Sequence, residues 1–330
     1  MQDVANALGV SLSTVSLALS GNEVVAPATR ARVRDEANRL GYVYNRSAAN
    51  LRTRSRDVVG LVVPDITNPF AAEAALGLQD ALMPDGRMVA LANTRERVDT
   101  QTSIVQALLE QRIAGLVLIP ALDTSAADLA LLRRSDTPVI LMNRNVPDSQ
   151  LPFLGTDDER VIRLAVDHLR DVHHVTSAAY FGGLQAAGPQ KARKAHFRSL
   201  MQQYGIQDVA IWDVPSAPNA LAAYEAAREI LRTAPAPAAL VCHSDSIAIG
   251  VLRALNEAHV DPSECSVIGI DGIVDGVVTV PSLTTIDVFP SDMGAMAGRL
   301  LFTQSANQPA SAPLVTPALR IRESCGCASD

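Results

Sequence analysis

The chain has 330 residues, 48% of them hydrophobic and 19% charged, with a formal net charge of −7. That is enough chain for two or three domains with buried cores, and the composition is that of an ordinary soluble globular protein. No apolar run approaches the roughly twenty residues of a membrane helix, and the N-terminus lacks a basic-then-apolar signal layout, so a cytoplasmic protein with no membrane partner is expected.

The charge is unevenly spread. Residues 1–56 hold eight arginines against Asp3, Glu23, Asp35 and Glu36, a balance of +4, which leaves −11 for the rest. A small basic head suits phosphate while an acidic body stays in solution, although a charge run on its own is usually a solvated face.

Residues 3–20, DVANALGVSLSTVSLALS, read as two short helices around a tight turn. Ala5 is small where the helices approach, Gly9 tolerates φ > 0, and Val15 returns an apolar side chain to the junction, which is helix-turn-helix spacing. Ser11 is placed to cap the N–H groups of Ser13 and Thr14, so the second helix starts after it and exposes Leu12, Ser13 and Ser16, with Leu17 one turn on. In such motifs this turn enters the DNA major groove. A third helix is predicted over 27–40, opened by Pro27, with Val33, Ala37 and Leu40 on one face and Gly41 as its stop. Residues 45–51 read as a short helix with only Ala48, Ala49 and Leu51 to bury, marginal in water without a partner surface.

From Val58 the pattern changes. DVVGLVVPD, RMVALAN, GLVLIP and PVILMN read as buried strands alternating with helices near 69–82, 100–111 and 125–134. The alternation continues with helices at 159–170, 190–204, 219–231 and 246–259 and strands at 177–181, 209–212, 238–242 and 266–270. Such a text specifies parallel sheets with helices on both faces. It holds too many units for one open sheet, so two similar α/β lobes are expected, with a ligand cleft at the carboxyl ends of their strands. Asp65, Asn143, Ser244, Asp245 and Asp271 fall at those ends. Each alone is a turn or cap residue; as a set converging on one cleft they read as ligand contacts.

Cys242, Cys265, Cys325 and Cys327 form no CxxC pair and no metal-ligand set with the histidines at a useful spacing, so they read as structural thiols, with no metal site expected. His173 and His174 fall on a connector and read as exposed. GIDGIVDG is not spaced as GxGxxG, no GxxxxGK[ST] occurs, and no Ser, His and Asp set has a recognisable elbow, which argues against an enzyme.

Over essentially its whole length the chain resembles a LacI/GalR-family transcriptional regulator: DVANALGVSLSTVSLALSG, then PATRARVRDEANRLGYVYN, then NRSAANLRT for a hinge helix, then VVGLVVPDITNPF entering a body similar to type I periplasmic sugar-binding proteins. The resemblance implies an all-α helix-turn-helix head at 1–44, a hinge helix and linker at 45–56, and a body at 57–330 of two Rossmann-like lobes. The first lobe would be about 57–154 plus 287–314, and the second about 155–286 plus 315–325. By position, Leu12, Ser13 and Leu17 would read bases while Ser11, Thr14, Ser16 and Ser20 hold phosphates. Leu51 falls on the leucine that wedges into the minor groove at the operator centre, with Asn45, Arg46 and Ala48 beside it. In the body, Phe70, Asn143, Arg193, Ser244 and Asp271 fall on effector positions, next to Asp65.

The chain departs from the family pattern in several places. It begins almost at the first helix, which leaves a start farther upstream open. Leu17 stands where many members carry Arg, Tyr44 where proline is usual, Ser244 where sugar-binding members have Asn, Asn143 where Asp is common, and Ala71 where purine-binding members have an aromatic. The implied function is a cytoplasmic homodimeric repressor without cofactor. It would bind near-palindromic operator DNA under control of a small ligand, a sugar or sugar derivative, with a stand-alone periplasmic-type solute receptor as the alternative.

Overall fold

The computed structural model describes residues 1–20, 22–42, 57–184, 189–303 and 314–327. The chain divides into two compact units, Met1–Arg56 and Asp57–Asp330.

In the first unit, α1 (Gln2–Leu8), α2 (Leu12–Leu19) and α3 (Pro27–Arg39) enclose Val4, Ala5, Val15, Ala18, Val25, Val33 and Ala37. The turn between α1 and α2 works as its sequence suggests: Gly9 sits at φ +63° in the left-handed region. Ser11 Oγ accepts the Thr14 N–H at 3.1 Å, capping α2. Ser13 differs from expectation, because it is its hydroxyl, not its amide, that approaches Ser11 Oγ, at 3.5 Å. Leu40 also departs from the buried face expected of it, since α3 ends one residue earlier and leaves this side chain 40% exposed at the C-cap. The hinge residues Asn45, Arg46, Ala48 and Leu51 lie outside the described residues.

The second unit holds two sheets. The first is parallel, in the order β2-β1-β3-β4-β5, from β1 (Val58–Val63), β2 (Met88–Asn93), β3 (Gly115–Leu118), β4 (Val139–Met142) and β5 (Phe153–Leu154). Its helices are α4 (Pro69–Leu82), α5 (Val98–Glu110) and α6 (Ala130–Arg134). The second sheet runs β11-β10-β9-β8-β6-β7, with β6 (Ser177–Phe181), β7 (Gln207–Asp208), β8 (Ala239–Cys242), β9 (Ser266–Asp271), β10 (Thr284–Asp287) and the antiparallel β11 (Ala318–Arg320). Around it lie α7 (Asp158–Asp171), α8 (Pro189–Tyr204), α9 (Ala220–Leu231) and α10 (Asp245–Glu257). After β10 the chain crosses back, and α11 (Pro290–Thr303) packs on α4, β3 and β4 of the first lobe before Val315 bridges Thr156 on the return. The central strands β3, β4, β8 and β9 are buried throughout, as strands covered by helices on both faces must be.

Two elements differ from the sequence expectation. The helix expected over 125–134 is confined to Ala130–Arg134, because Asp128 accepts both the N–H and the hydroxyl of Ser125, at 2.8 and 2.6 Å, and holds that stretch as a turn. The strand expected over 209–212 is instead the short pair Gln207–Asp208 followed by a 3₁₀ turn over Ala210–Trp212. Trp212 is fully buried and its indole N–H reaches Pro235 O at 2.9 Å, which turns this stretch off the sheet edge into the core.

Candidate functional site

Along α2, Leu12 and Leu17 remain 43% and 37% exposed although both are large and apolar. Ser11, Ser13 and Ser20 are exposed beside them, while Thr14 and Ser16 are half-buried. Residues 13, 16, 17 and 20 follow the three- and four-residue spacing of one helix face, so the surface is a stripe of hydroxyls interrupted by leucines. Thr14 Oγ1 is 2.9 Å from Ser11 Oγ, and Ser20 Oγ donates to Leu17 O at 3.0 Å, so both hydroxyls already have local partners.

In the second unit a cleft opens at the carboxyl ends of strands from both sheets, with about 800 Å³ of space that is continuous with solvent. Asp65, Phe70, Asn143, Arg193, Ser244 and Asp271 all line it. Asp65 follows β1, and its Oδ1 accepts from the N–H and hydroxyl of Thr67, at 2.9 and 2.7 Å. Phe70 is buried in the first turn of α4, where the Asn68 side chain caps the helix. Asn143 ends β4 at φ +63°, a conformation asparagine tolerates better than most. Ser244 is buried and caps α10 through the Ile247 N–H at 3.3 Å. The turn-and-cap role and the cleft position therefore coincide in Asp65 and Ser244.

Arg193 and Asp271 set the electrostatics. Arg193 is buried; its Nε donates to Asp158 Oδ1 at 2.7 Å and its Nη1 to His243 O at 3.4 Å. The cleft thus presents a guanidinium already neutralised by a carboxylate, which suits hydroxyl groups better than a carboxylate or phosphate. Asp271 ends β9 at φ +138°, a sparsely populated backbone region of the kind found at ligand sites. Burial pushes its carboxyl well up from 3.8, the Asp245 charge adds to this, and Arg193 pulls it back.

Asp245 belongs to the frame rather than the cleft. It is fully buried, and its carboxylate accepts from the N–H groups of Gly272 and Ile273 at 2.7 and 2.9 Å and from Thr285 Oγ1 at 2.5 Å. That ties the start of α10 to the turn after β9. Sequence reasoning missed three titratable lining groups, Glu96, Arg144 and His243. Arg144 forms a two-pronged ion pair with Glu96, both contacts at 2.8 Å, and also donates to Pro120 O at 3.0 Å. His243 Nδ1 is 2.7 Å from Tyr180 Oη. Burial, with the Arg193 and Arg144 charges adding, carries the His243 pKa down to about 3, so the cleft meets a neutral imidazole. A histidine directly before Ser244 was the available signal; Glu96 and Arg144, 48 residues apart, gave none.

A regulatory-protein model described as "Bacterial regulatory proteins, lacI family" matches residues 1–45, and a periplasmic binding protein-like domain matches 166–325. The maltose regulon regulatory protein MalI of Escherichia coli is 30% identical over 307 residues, covering 91% of this chain and 88% of that protein. The chain belongs to the lacI family. The ribose operon repressor of Halalkalibacterium halodurans is 28% identical over 313 residues, 94% of this chain and 91% of its own length. A structure of the Lac repressor dimer bound to operator and the anti-inducer ONPF superposes with a TM-score of 0.82, at 22% identity and 98% coverage of both chains. The fold is therefore that of a lacI-family regulator, an α-helical head and a two-lobed periplasmic-binding-protein-like body. Among the described residues, no helix is long and apolar enough to cross a membrane.

One sequence reading needs correction. The C-terminal cysteines were expected to form no ligand set with histidine, yet Cys325, Cys327, His168 and His173 lie together, and His173 is half-buried, unlike the exposed His174. Cys242 and Cys265 remain buried thiols; burial pushes Cys265 up to about 12 and Cys242 well above its ordinary value.

Proposed function

We propose that this lacI-family chain is a cytoplasmic, homodimeric repressor that binds near-palindromic operator DNA through α2 and is switched by a sugar or sugar derivative held in the cleft. It acts by binding and not by catalysis. The observation that carries this reading is the meeting of Asp65, Phe70, Asn143, Arg193, Ser244 and Asp271 in one cleft, in a chain whose other unit is a helix-turn-helix head. The cleft offers the carboxyl groups of Asp65 and Asp271, two guanidiniums each already paired with a carboxylate (Arg193 with Asp158, Arg144 with Glu96), short hydroxyl and amide groups, and an apolar wall. A polyol uses donors and acceptors at several points, and such a site rejects analogues lacking one hydroxyl. With Ala71 on the wall and aromatic residues only 4% of the chain, stacking of a nucleobase between two rings is disfavoured. The names of the ribose and maltose regulators support the same ligand class. A two-fold dimer suits a two-fold operator. Leu12, Ser13 and Leu17 are the proposed base readers and Ser11, Thr14, Ser16 and Ser20 the phosphate contacts, with Asn45, Arg46, Ala48 and Leu51 in the minor groove.

The test has two steps. Operator sequence is selected from random duplexes with the full chain, and sugars, sugar phosphates, nucleosides and amino acids are then titrated calorimetrically. A sugar should bind and change operator affinity, and Asp271→Ala should abolish that response while leaving operator binding intact. Binding of an aromatic base alone, with Asp271→Ala still responsive, would overturn both site and ligand class.

A further inference from the structure

Apart from the cleft, the second lobe gathers two imidazole nitrogens and two cysteine sulfurs at one point. His168 lies buried in the last turn of α7, and His173 follows just past the helix, half-buried. Cys325 closes a 3₁₀ turn at Glu323–Cys325 and is fully buried, and Cys327 comes two residues later, half-buried. One imidazole nitrogen from each histidine and the two Sγ atoms all lie within 4.8 Å of one another. The two Nε2 atoms face each other at 3.2 Å, and Cys327 Sγ is 3.4 Å from His173 Nε2 and 3.9 Å from His168 Nε2.

These three separations are close to edges of a coordination tetrahedron, and Cys325 Sγ lies within 4.8 Å of the other three donors. With metal–nitrogen bonds of about 2.0–2.1 Å and metal–sulfur bonds of about 2.3 Å, tetrahedral geometry puts two nitrogens roughly 3.3 Å apart and nitrogen and sulfur roughly 3.6 Å apart. We propose that His168, His173, Cys325 and Cys327 form a structural zinc site. Two thiolates with two imidazoles favour zinc over hard cations such as magnesium or calcium, and four protein donors leave no open position for chemistry.

The frame around the donors is set by other contacts. Ser266 Oγ donates to Cys325 O at 2.7 Å, Ser324 Oγ donates to Val267 O at 2.7 Å, and the Thr284 N–H donates to Ser324 Oγ at 2.8 Å. The cysteine turn is thereby pinned to β9 and β10 whether or not an ion is bound. Gly326 takes φ +88°, the left-handed conformation that brings Cys327 back beside Cys325. Without an ion the two facing ring nitrogens can share one proton in an N–H···N bond, whereas an ion between the four donors engages both imidazoles and both sulfurs at once. The ion would fasten the end of the chain to the C-terminal end of α7. The N-terminal residue of the same helix, Asp158, holds Arg193 in the cleft.

The experiment uses the full chain, purified under reducing conditions and dialysed against zinc or cobalt. About one zinc per chain is expected by elemental analysis, with cobalt giving thiolate charge-transfer bands and the intense d–d bands of a tetrahedral ion. Cys327→Ser and His173→Ala, both at half-buried positions, should fold and lose the bound zinc. A chelator should lower the Tm of the wild type and leave Cys327→Ser unchanged. Folded, reduced wild type that takes up no zinc and shows no tetrahedral cobalt spectrum would overturn the proposal, as would zinc retained by both variants. So would a Cys325–Cys327 disulfide that persists under the reducing conditions in place of bound metal.

Discussion

Asp245 shows how a single buried carboxylate can govern a site it does not enter. Three donors meet it, yet burial outweighs them and carries its pKa up from 3.8 to about 6, while Asp271 beside it is carried up by burial and by the Asp245 charge. The folded body therefore holds protons that the unfolded chain releases between roughly pH 4 and 6. The contribution of Asp245 to stability is full below its unfolded pKa and is lost as pH rises through about 6, and Asp271, whose pKa is also raised, acts in the same direction. We expect the urea midpoint of wild type to gain from this pair as pH falls from about 7 to about 5, and Asp271→Asn to flatten that dependence. Identical pH slopes in the two proteins would remove the assignment. In the head, Leu12 and Ser13 stand exposed while Thr14 is half-buried against the Ser11 cap. Replacing Leu12 or Ser13 should change which operator bases are preferred, by about 1–3 kcal/mol at the affected position. Thr14→Val should weaken binding to all sequences alike. Selection of bound duplexes by each variant separates the two effects.

At the level of elements, α4 and α11 cross in contact of backbone with backbone. A Cβ placed on Gly294 would lie 1.9 Å from Ala74 O, and one on Gly77 would lie 1.8 Å from Ser291 O. Each helix thus uses a glycine to admit the other, and the atom a Cβ would meet is backbone on both sides. Gly294→Ala should cost about 1–3 kcal/mol or more and lower the Tm, whereas Ala substitution of exposed Leu76 on the same α4 should have little effect; thermal unfolding of both variants measures the difference. The α2 start, the α3 stop and the repeated strand-helix alternation were legible because Ser11, Gly41 and the buried valine-rich runs each carry their own local cause. The cleft residues were legible because strand ends are readable and the family resemblance supplied their positions. The C-terminal elements were not: β10 and β11 are four and three residues long, with no apolar run to mark them. The histidine–cysteine cluster was hidden because its donors stand up to 159 residues apart and meet only through the crossing of the chain between lobes.

Across the whole molecule, control requires that a ligand favour one arrangement of the lobes over another, since equal affinity for both would shift nothing. Among the described residues, a side-chain hydrogen bond joins α4 of the first lobe to the turn past β9 of the second: Glu73 Oε1 accepts the N–H of Val274 at 3.1 Å. Burial raises the Glu73 pKa, the Val274 amide opposes that, and Asp287 and Asp275 add to the rise. If the switch parts α4 from the turn after β9, this bond breaks with it, and removing its acceptor penalises this arrangement and leaves the other untouched. A penalty of about 1 kcal/mol corresponds to a roughly five-fold shift in the equilibrium between arrangements. Glu73→Ala should therefore change the apparent affinity for a cleft ligand by up to about five-fold. Linkage requires that operator affinity move through the same equilibrium, while Glu73→Gln, which keeps a carbonyl acceptor, should stay near wild type. Calorimetric titration of wild type and both variants with a sugar that binds wild type, repeated with operator present, measures both quantities. Equal affinities in wild type and Glu73→Ala would mean that this contact persists through the switch and that the lobes move about some other point.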